Sequence, residues 1–111
     1  MIYMCVITIE RLQELCRNTD DIVITQHAFI RFREHGILLN VVISAVNNGE
    51  IIEQYPDNYP FPSCLVLGLS EKKLFLHAVC GIGNNKIWII TTYFPTLDRW
   101  ENDYKTRKVE H

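Results

Sequence analysis

The segment TQHAFIRFREHGI, residues 25–37, contains two histidines, two arginines and a glutamate. A histidine exchanges a proton near neutral pH, and an arginine offers a planar set of N–H donors that matches a phosphate or an oxyanion. His27 and Arg31 are four residues apart, which makes them neighbours on a helix. The pair therefore predicts a base beside a fixed cation, a combination suited to chemistry at a phosphate or at a developing oxyanion.

A helix over residues 25–35 would position this pair. Thr25 is a residue type that caps helix N-termini, and Gly36 is typical of the position after a helix end. With about 100° per residue, the apolar side chains fall on one stripe, which we assign to the core: Ala28, Phe29 and Phe32. The polar side chains share another sector: His27, Arg31, Glu34 and His35. That sector is either a site or an ordinary solvated helix face.

The first half of the chain is predicted to be helical and the second half to be a sheet. Apolar residues at helical spacing indicate helices over residues 8–18, 25–35 and 39–47. Within residues 50–94 the spacing changes to two, and short turns separate four strands. We expect a single α+β domain over residues 1–111, in which the N-terminal helices pack on one face of a four-stranded antiparallel sheet. The other face would be free, and residues 97–111 would form a C-terminal tail.

Length and composition limit the classes of function. The chain has 111 residues, of which 48% are hydrophobic and 22% charged, as is usual for one globular domain. Its net charge of −2 gives no general attraction to nucleic acid, so any site for an anion must be local. The apolar opening has no basic flank and is too short to span a membrane. We therefore expect a cytoplasmic protein without a membrane segment.

Other reactive residue types favour structural roles. The four cysteines are far apart and lie in apolar runs, which predicts buried free thiols: Cys5, Cys16, Cys64 and Cys80. His27, Glu34 and His35 lack the H-E-x-x-H spacing of a metalloenzyme helix, so we expect neither a metal nor another cofactor. Ser63 has no G-x-S-x-G context, and we assign it and Cys64 to packing rather than to nucleophilic catalysis.

Longer motifs resemble a known family. They are H-A-x-x-R at 27–31, N-G-E-I-I-E-x-Y-P at 48–56, P-F-P-S-C-L-V-L-G at 60–68 and W-I-I-T-x-Y-x-P at 88–95. Together they resemble the domain of unknown function 4258 family over residues 22–107. That family is similar to small toxins of the RelE type, which are metal-independent ribonucleases, and its members resemble partners of zinc-containing antitoxins of the MqsA kind. The resemblance implies a RelE-like fold and marks His27 and Arg31 as candidate catalytic residues.

A ribonuclease of this kind needs a base for the 2′-hydroxyl, a cation for the phosphorane and an acid for the leaving oxygen. We predict that His27 is the base, that Arg31 binds the phosphate, and that His77 or Tyr93 completes the site. Both have a structural alternative, as packing or hydrogen-bonded sheet residues. A three-residue turn at 83–85, which we predict, would place His77 and Tyr93 on one face as diagonal neighbours. A two-residue turn would place them on opposite faces.

Contacts to RNA complete the hypothesis. The candidate RNA-binding residues are Arg33, His35, Tyr59, Lys105, Arg107 and Lys108. Tyr55, Tyr59 and Phe61 either stack on unpaired bases or cover the edge of the sheet. The predicted function is the toxin of a toxin–antitoxin pair, with RNA, including ribosome-bound mRNA, and a zinc-containing antitoxin as partners. The alternative is a non-catalytic module that binds a protein partner through the open face of the sheet.

Overall fold

The computed structural model describes residues 6–109. Its elements in chain order are α1 (Ile9–Leu15), β1 (Ile22–Ile24), α2 (Gln26–His35), α3 (Leu39–Asn48), β2 (Glu50–Tyr55), β3 (Ser63–Leu69), β4 (Phe75–Gly83) and β5 (Lys86–Tyr93). A short 3₁₀ turn at Thr19–Asp21 connects α1 to β1. The described chain thus has an α+β architecture, with three α-helices followed by most of the sheet. Among these residues, no helix is both long and apolar enough to cross a membrane.

The second helix forms where the sequence predicts it. Thr25 Oγ1 accepts a hydrogen bond from the Ala28 amide at 3.1 Å, and Gly36 ends the helix in the left-handed conformation with φ 63°. Ala28 and Phe32 are buried in the core, as the apolar stripe predicts. The prediction is wrong for Phe29, which is 54% exposed. On the helical wheel Phe29 lies about 60° beyond Phe32, at the margin of the stripe, so the core does not cover it.

The sheet has five strands in the order β1-β5-β4-β3-β2 and is mixed. Strands β2 to β5 are antiparallel neighbours, as predicted. The prediction of a four-stranded antiparallel sheet is wrong at one edge, because β1 pairs in parallel with β5, with Ile22 opposite Ile87 and Ile24 opposite Ile89. This strand has only three residues, and its partner is distant in sequence. No local period could therefore reveal it.

The added edge strand determines where α2 begins. Because β1 runs parallel to β5 and leads directly into α2, the helix starts beside the second half of β5. Thr25 fixes this contact: its amide donates to the Ile89 carbonyl at 3.1 Å and its hydroxyl to the Ile90 carbonyl at 2.9 Å. The first turns of α2, with His27 and Arg31, consequently lie close to the end of β5.

The turn between β4 and β5 has two residues, Asn84 and Asn85. Gly83 pairs with Lys86 across it, and both asparagines have positive φ, at 55° and 59°. Two consecutive residues of positive φ make the hairpin turn that matches the twist of a sheet, and asparagine tolerates this conformation well. The prediction of a three-residue turn is therefore wrong.

A β-bulge places His77 and Tyr93 on the same face of the sheet, although the two-residue turn alone would have placed them on opposite faces. The register shifts by one residue between Cys80 and Val79, where Ile90 of β5 has no partner in the pairing. Below the bulge, His77 lies directly opposite Tyr93. Because side chains alternate between faces, a one-residue shift reverses the effect of the shorter turn. The two residues share a face, as predicted, but as direct partners.

The two faces of the sheet are covered differently. Alternation along β3 places Cys64 and Val66 in the main core with the helices, and Leu65 and Leu67 on the opposite face. That second face is not free, because Leu65 and Leu67 are buried there. The C-terminal segment, residues 97–109, folds back through an antiparallel bridge between Trp100 and Arg107, and Trp100 is only 2% exposed.

We expect Gly68→Ala to destabilise the fold strongly. A Cβ atom at Gly68 would lie 2.1 Å from the carbonyl oxygen of Ala45 and 2.7 Å from its Cα, so α3 would have to move away from β3. The free energy of unfolding, measured in urea, should fall by about 1–3 kcal/mol or more. Gly36→Ala is the control, because nothing lies within 4 Å of the added Cβ and its φ of 63° alone costs about 1–2 kcal/mol. If Gly68→Ala reduced the free energy of unfolding by less than Gly36→Ala, this would contradict the close approach of α3 to β3 at Gly68.

Candidate active site

A cleft of about 460 Å³ lies where α2, the end of β5 and the C-terminal segment meet. Its polar lining consists of His27, Arg31, Tyr93, Thr96, Arg99 and Arg107, together with Thr91. Its apolar walls are Phe94, Pro95 and Trp100. Three of the four predicted catalytic residues, from two distant parts of the sequence, therefore line one cleft.

The cleft is cationic. Arg31, Arg99 and Arg107 line it, and the described lining residues include no aspartate or glutamate, although Arg107 is paired with Glu53 outside the lining. Arg31 pairs with a carboxylate on its own helix, with 3.3 Å between its Nη1 and Glu34 Oε2, and both side chains are about half exposed. A chain of net charge −2 thus concentrates positive charge locally, as a binding site for a phosphate or a carboxylate requires.

His77 lies beneath the cleft and not in its wall. It is fully buried, and its Nδ1 is 3.1 Å from Tyr93 Oη while its Nε2 is 2.8 Å from the carbonyl oxygen of Tyr104. The ring of Trp100 packs edge-on against the imidazole with 4.5 Å between centroids. Burial lowers the pKa of His77, although the hydrogen bond to Tyr104 acts in the opposite direction. Burial raises the pKa of Tyr93, because here the charged form is the deprotonated one.

Arg107 connects the cleft to the far strand of the sheet. Its Nε and Nη2 donate to the carboxylate of Glu53 at 2.8 and 3.0 Å, and its guanidinium lies 4.7 Å from the ring centroid of Trp100. The hydrogen bond from Arg107 is the main reason why the pKa of Glu53 is lowered, and the Tyr55 hydroxyl donates to the same carboxylate. The ion pair and the contact with Trp100 hold the arginine in place at the cleft wall.

A comparison with models of protein families identifies the family of the chain. The family model described as Domain of unknown function (DUF4258) matches residues 24–94, which is more than half of the chain. The chain belongs to the DUF4258 family. The matched region contains His27, Arg31 and Tyr93, whereas Arg99 and Arg107 lie beyond its end. No curated protein and no solved structure matches the chain.

Most of the predicted RNA contacts of this DUF4258 chain lie away from the cleft. Arg107 lines it, as described above. The other candidates are exposed and outside its lining: Arg33, His35, Tyr59, Lys105 and Lys108. Lys105 is also paired with Glu50, with 2.6 Å between Nζ and Oε1. The structure therefore does not gather these residues around one groove.

Sequence reasoning missed Arg99, which the structure places in the cleft wall. It lies in the C-terminal segment, which shows neither helical nor strand period and was predicted to be a tail. The available signal was composition: a tryptophan directly after Arg99, followed within the same segment by Arg107. A large aromatic residue between cations is typical of a segment that packs onto the domain, because a tryptophan seldom stays in water.

The described thiols and the hydroxyl of Ser63, which the sequence assigns to packing, are buried. The described cysteines are free and buried: Cys16, Cys64 and Cys80. Burial raises the pKa of Cys16 to about 11 and that of Cys64 to about 12, so neither is a thiolate at neutral pH. Cys5 lies outside the described residues. Ser63 is fully buried and accepts a hydrogen bond from Asn58, and no described residues form a cluster of three or more metal-ligand types.

We expect the anchoring of the C-terminal segment by Glu53 to depend on pH. The pKa of Glu53 is lowered in the folded chain, so its contribution to stability is present above the pKa of an unfolded glutamate, about 4.3. That contribution is lost as the pH falls through the lower folded value. Glu53→Gln should reduce the free energy of unfolding by roughly 1 kcal/mol at pH 7. In urea titrations this difference should shrink as the pH falls from about 5 towards 3.

The control for this experiment is Glu50→Gln. Glu50 also belongs to β2 and also pairs with a cation of the C-terminal segment, Lys105, but the Glu50 side chain is 54% exposed, against 23% for Glu53. Exposed pairs contribute little, so this variant should differ from the wild type by at most a few tenths of a kcal/mol. A difference between Glu53→Gln and the wild type that did not change with pH would contradict the role of the Glu53 carboxylate.

Proposed function

We propose that this DUF4258 chain is a metal-independent, RelE-like endoribonuclease that acts as the toxin of a toxin–antitoxin pair. The observation that carries the proposal is the cleft itself, whose lining brings together His27, Tyr93 and three arginines. Cleavage of a phosphodiester passes through a phosphorane that carries more negative charge than the substrate. Fixed cations that face this charge stabilise the transition state.

The roles follow from position. Arg31 and Arg99 stand on opposite elements, α2 and the C-terminal segment, and grip the phosphate between them. His27 is exposed in the first turn of α2 and lines the cleft, so it serves as one acid–base group. Tyr93 is the other group at the cleft, and buried His77 reaches the substrate only through it.

The partners in this proposal follow from charge and from the family resemblance. Outside the cleft the chain offers little attraction to RNA, since its net charge is −2. A ribosome that presents mRNA would supply the missing affinity, which is why ribosome-bound mRNA is the proposed substrate. A zinc-containing antitoxin of the MqsA kind is the proposed protein partner, and the pair would act in the cytoplasm.

The experiment is an RNA cleavage assay with the purified chain, with and without ribosomes, in the presence of EDTA. The wild type should release fragments that end in 2′,3′-cyclic phosphate, and a 2′-deoxy nucleotide at the cut site should block cleavage. The double variant His27→Ala/Arg31→Ala, with an unchanged circular dichroism spectrum and urea midpoint, should be inactive. If the wild type cleaves no RNA in either condition, the chain is not a ribonuclease. A protein-binding module then becomes the better assignment, with a binding surface other than the covered part of the second sheet face.

A further inference from the structure

Two hydrogen bonds determine where the protons of the buried pair His77 and Tyr93 lie. The carbonyl oxygen of Tyr104, 2.8 Å from His77 Nε2, can only accept a hydrogen bond, so Nε2 carries a proton. In the neutral imidazole, which burial favours, Nδ1 then has a lone pair and no proton. Tyr93 Oη lies 3.1 Å from Nδ1 and therefore donates its hydroxyl proton inwards, to His77.

This orientation decides what Tyr93 offers to the cleft. A phenol has one proton, and that of Tyr93 is already donated to His77. Its oxygen therefore presents only lone pairs to the cleft that it lines. A phosphate oxygen has no proton to give to such an acceptor, whereas a substrate hydroxyl has one. Tyr93 is thus placed to receive a proton from a hydroxyl group next to the bound phosphate.

We infer that Tyr93 and His77 form a proton relay that accepts the proton of the attacking 2′-hydroxyl. This inference rests on the proposed ribonuclease function. As the 2′-oxygen bonds to phosphorus, its proton passes to Tyr93 Oη, and the phenolic proton passes to His77 Nδ1. The bond from phosphorus to the 5′-oxygen breaks, and that oxygen takes a proton from His27. In this inference His27 is therefore the acid, in place of the base that the sequence predicts, and Tyr93 is the catalytic residue on the base side.

His77 acts through Tyr93 and is a positioning residue. The carbonyl oxygen of Tyr104 stabilises the imidazolium that forms, much as the third member of a catalytic triad does. Two charged groups act on the ring from further away: Glu53 favours the imidazolium and Arg107 opposes it. Burial opposes it most strongly, so the proton returns through Tyr93 to solvent after the product has left.

Two substitutions separate the relay from a structural role. His77→Gln retains one donor for Tyr104 and one acceptor for Tyr93, but it cannot hold a proton. Tyr93→Phe retains the ring and removes the hydroxyl. Each should lower kcat for RNA by about 100-fold or more, with little change in KM. Each should also remove the acidic limb of the profile of kcat against pH.

The matched control is Thr92→Val. Thr92 is fully buried, and its hydroxyl donates to the main-chain carbonyl of His77 at 2.9 Å. The variant therefore loses a buried hydrogen bond next to the relay without touching its proton path, and it should keep the wild-type kcat and pH profile. A readout without turnover is long-range ¹H–¹⁵N NMR of the imidazole. It should show His77 protonated at Nε2, with an Nδ1 resonance that shifts in Tyr93→Phe.

The outcomes are distinct. A wild type that cleaves no RNA overturns the proposed function and the relay together. A wild type that cleaves RNA, with a Tyr93→Phe variant that is equally fast, overturns the relay alone. A His77 ring that is protonated at Nδ1 in the NMR spectrum also overturns the relay alone, and this holds even if His77→Gln fails to fold. Slow variants that keep the acidic limb of the pH profile would likewise show that the pair only supports the cleft.

Discussion

Arg31→Ala is expected to lower the rate of RNA cleavage by about 100- to 1000-fold, which is the usual loss when one fixed donor to a transition-state oxyanion is removed. Arg31 projects from α2 into the cleft, where its planar guanidinium can bind two phosphate oxygens at once. The loss should appear in kcat, because this grip strengthens as charge develops on the phosphorane. The free energy of unfolding should change little, since the contact of Arg31 with Glu34 is half exposed and contributes only about 0.3–0.5 kcal/mol.

The chain contains a closely matched control, Arg11→Ala. Arg11 pairs with Glu14 on α1 with the same spacing as Arg31 with Glu34, at 3.2 Å against 3.3 Å, with 40% against 42% of the arginine side chain exposed. Both variants should unfold alike in urea, and only Arg31→Ala should lose activity. The cleavage rate of Arg31→Lys should lie between those of the wild type and Arg31→Ala, because lysine keeps the charge without the planar pair of donors. Equal activity of the two alanine variants would show that Arg31 does not act on the substrate.

Local signals were sufficient for the helix that carries Arg31. Its N-terminal cap bond spans three residues, from Ala28 to Thr25, and its end depends on Gly36, so the contacts that set its two ends are local. Its place beside β5 depends on long-range bonds from Thr25. The polar sector of the helix, opposite its apolar stripe, also follows from local spacing. For these reasons His27 and Arg31 could be identified from the sequence as neighbours that face away from the core.

Long-range pairing was beyond such signals. Strand β1 depends on β5, which lies far along the chain, and a three-residue apolar run between two helices has no period of its own. The bulge at Val79 and Cys80 has no marker in the sequence, and yet it sets the register of His77 against Tyr93. The prediction that these two residues share a face is correct because two register errors, one in the turn and one at the bulge, cancel.

The C-terminal segment, which forms the third wall of the cleft beside α2 and β5, is the hardest part to predict. Arg99 and Arg107 enter it only because Trp100 packs on His77 and Glu53 holds Arg107, and each of these contacts joins segments separated by at least 20 residues. Total charge conceals the result, since a chain of net charge −2 gives no sign of three arginines gathered at one place.

Trp100→Ala is expected to have the largest effect on stability. Trp100 is 2% exposed, packs edge-on against His77 and carries the guanidinium of Arg107 on its face. Truncation of a buried tryptophan costs about 3–5 kcal/mol, a large share of the 5–15 kcal/mol by which a domain is usually stable. The urea midpoint should fall accordingly, and Trp88 remains as a fluorescent probe of unfolding.

The variant should also separate the C-terminal segment from the rest of the fold. Without Trp100, water reaches His77 and Arg107 loses one of its two supports, so amide hydrogens within residues 97–109 should exchange faster than those of β4 and β5. Leu97→Ala, in the same segment but 47% exposed, should change the free energy of unfolding by no more than about 0.5 kcal/mol. If Trp100→Ala kept the wild-type midpoint and the wild-type exchange pattern, the segment would be held by its ion pairs alone. The pairs of Arg107 with Glu53 and of Lys105 with Glu50 would then be the contacts that keep the C-terminal segment at the cleft.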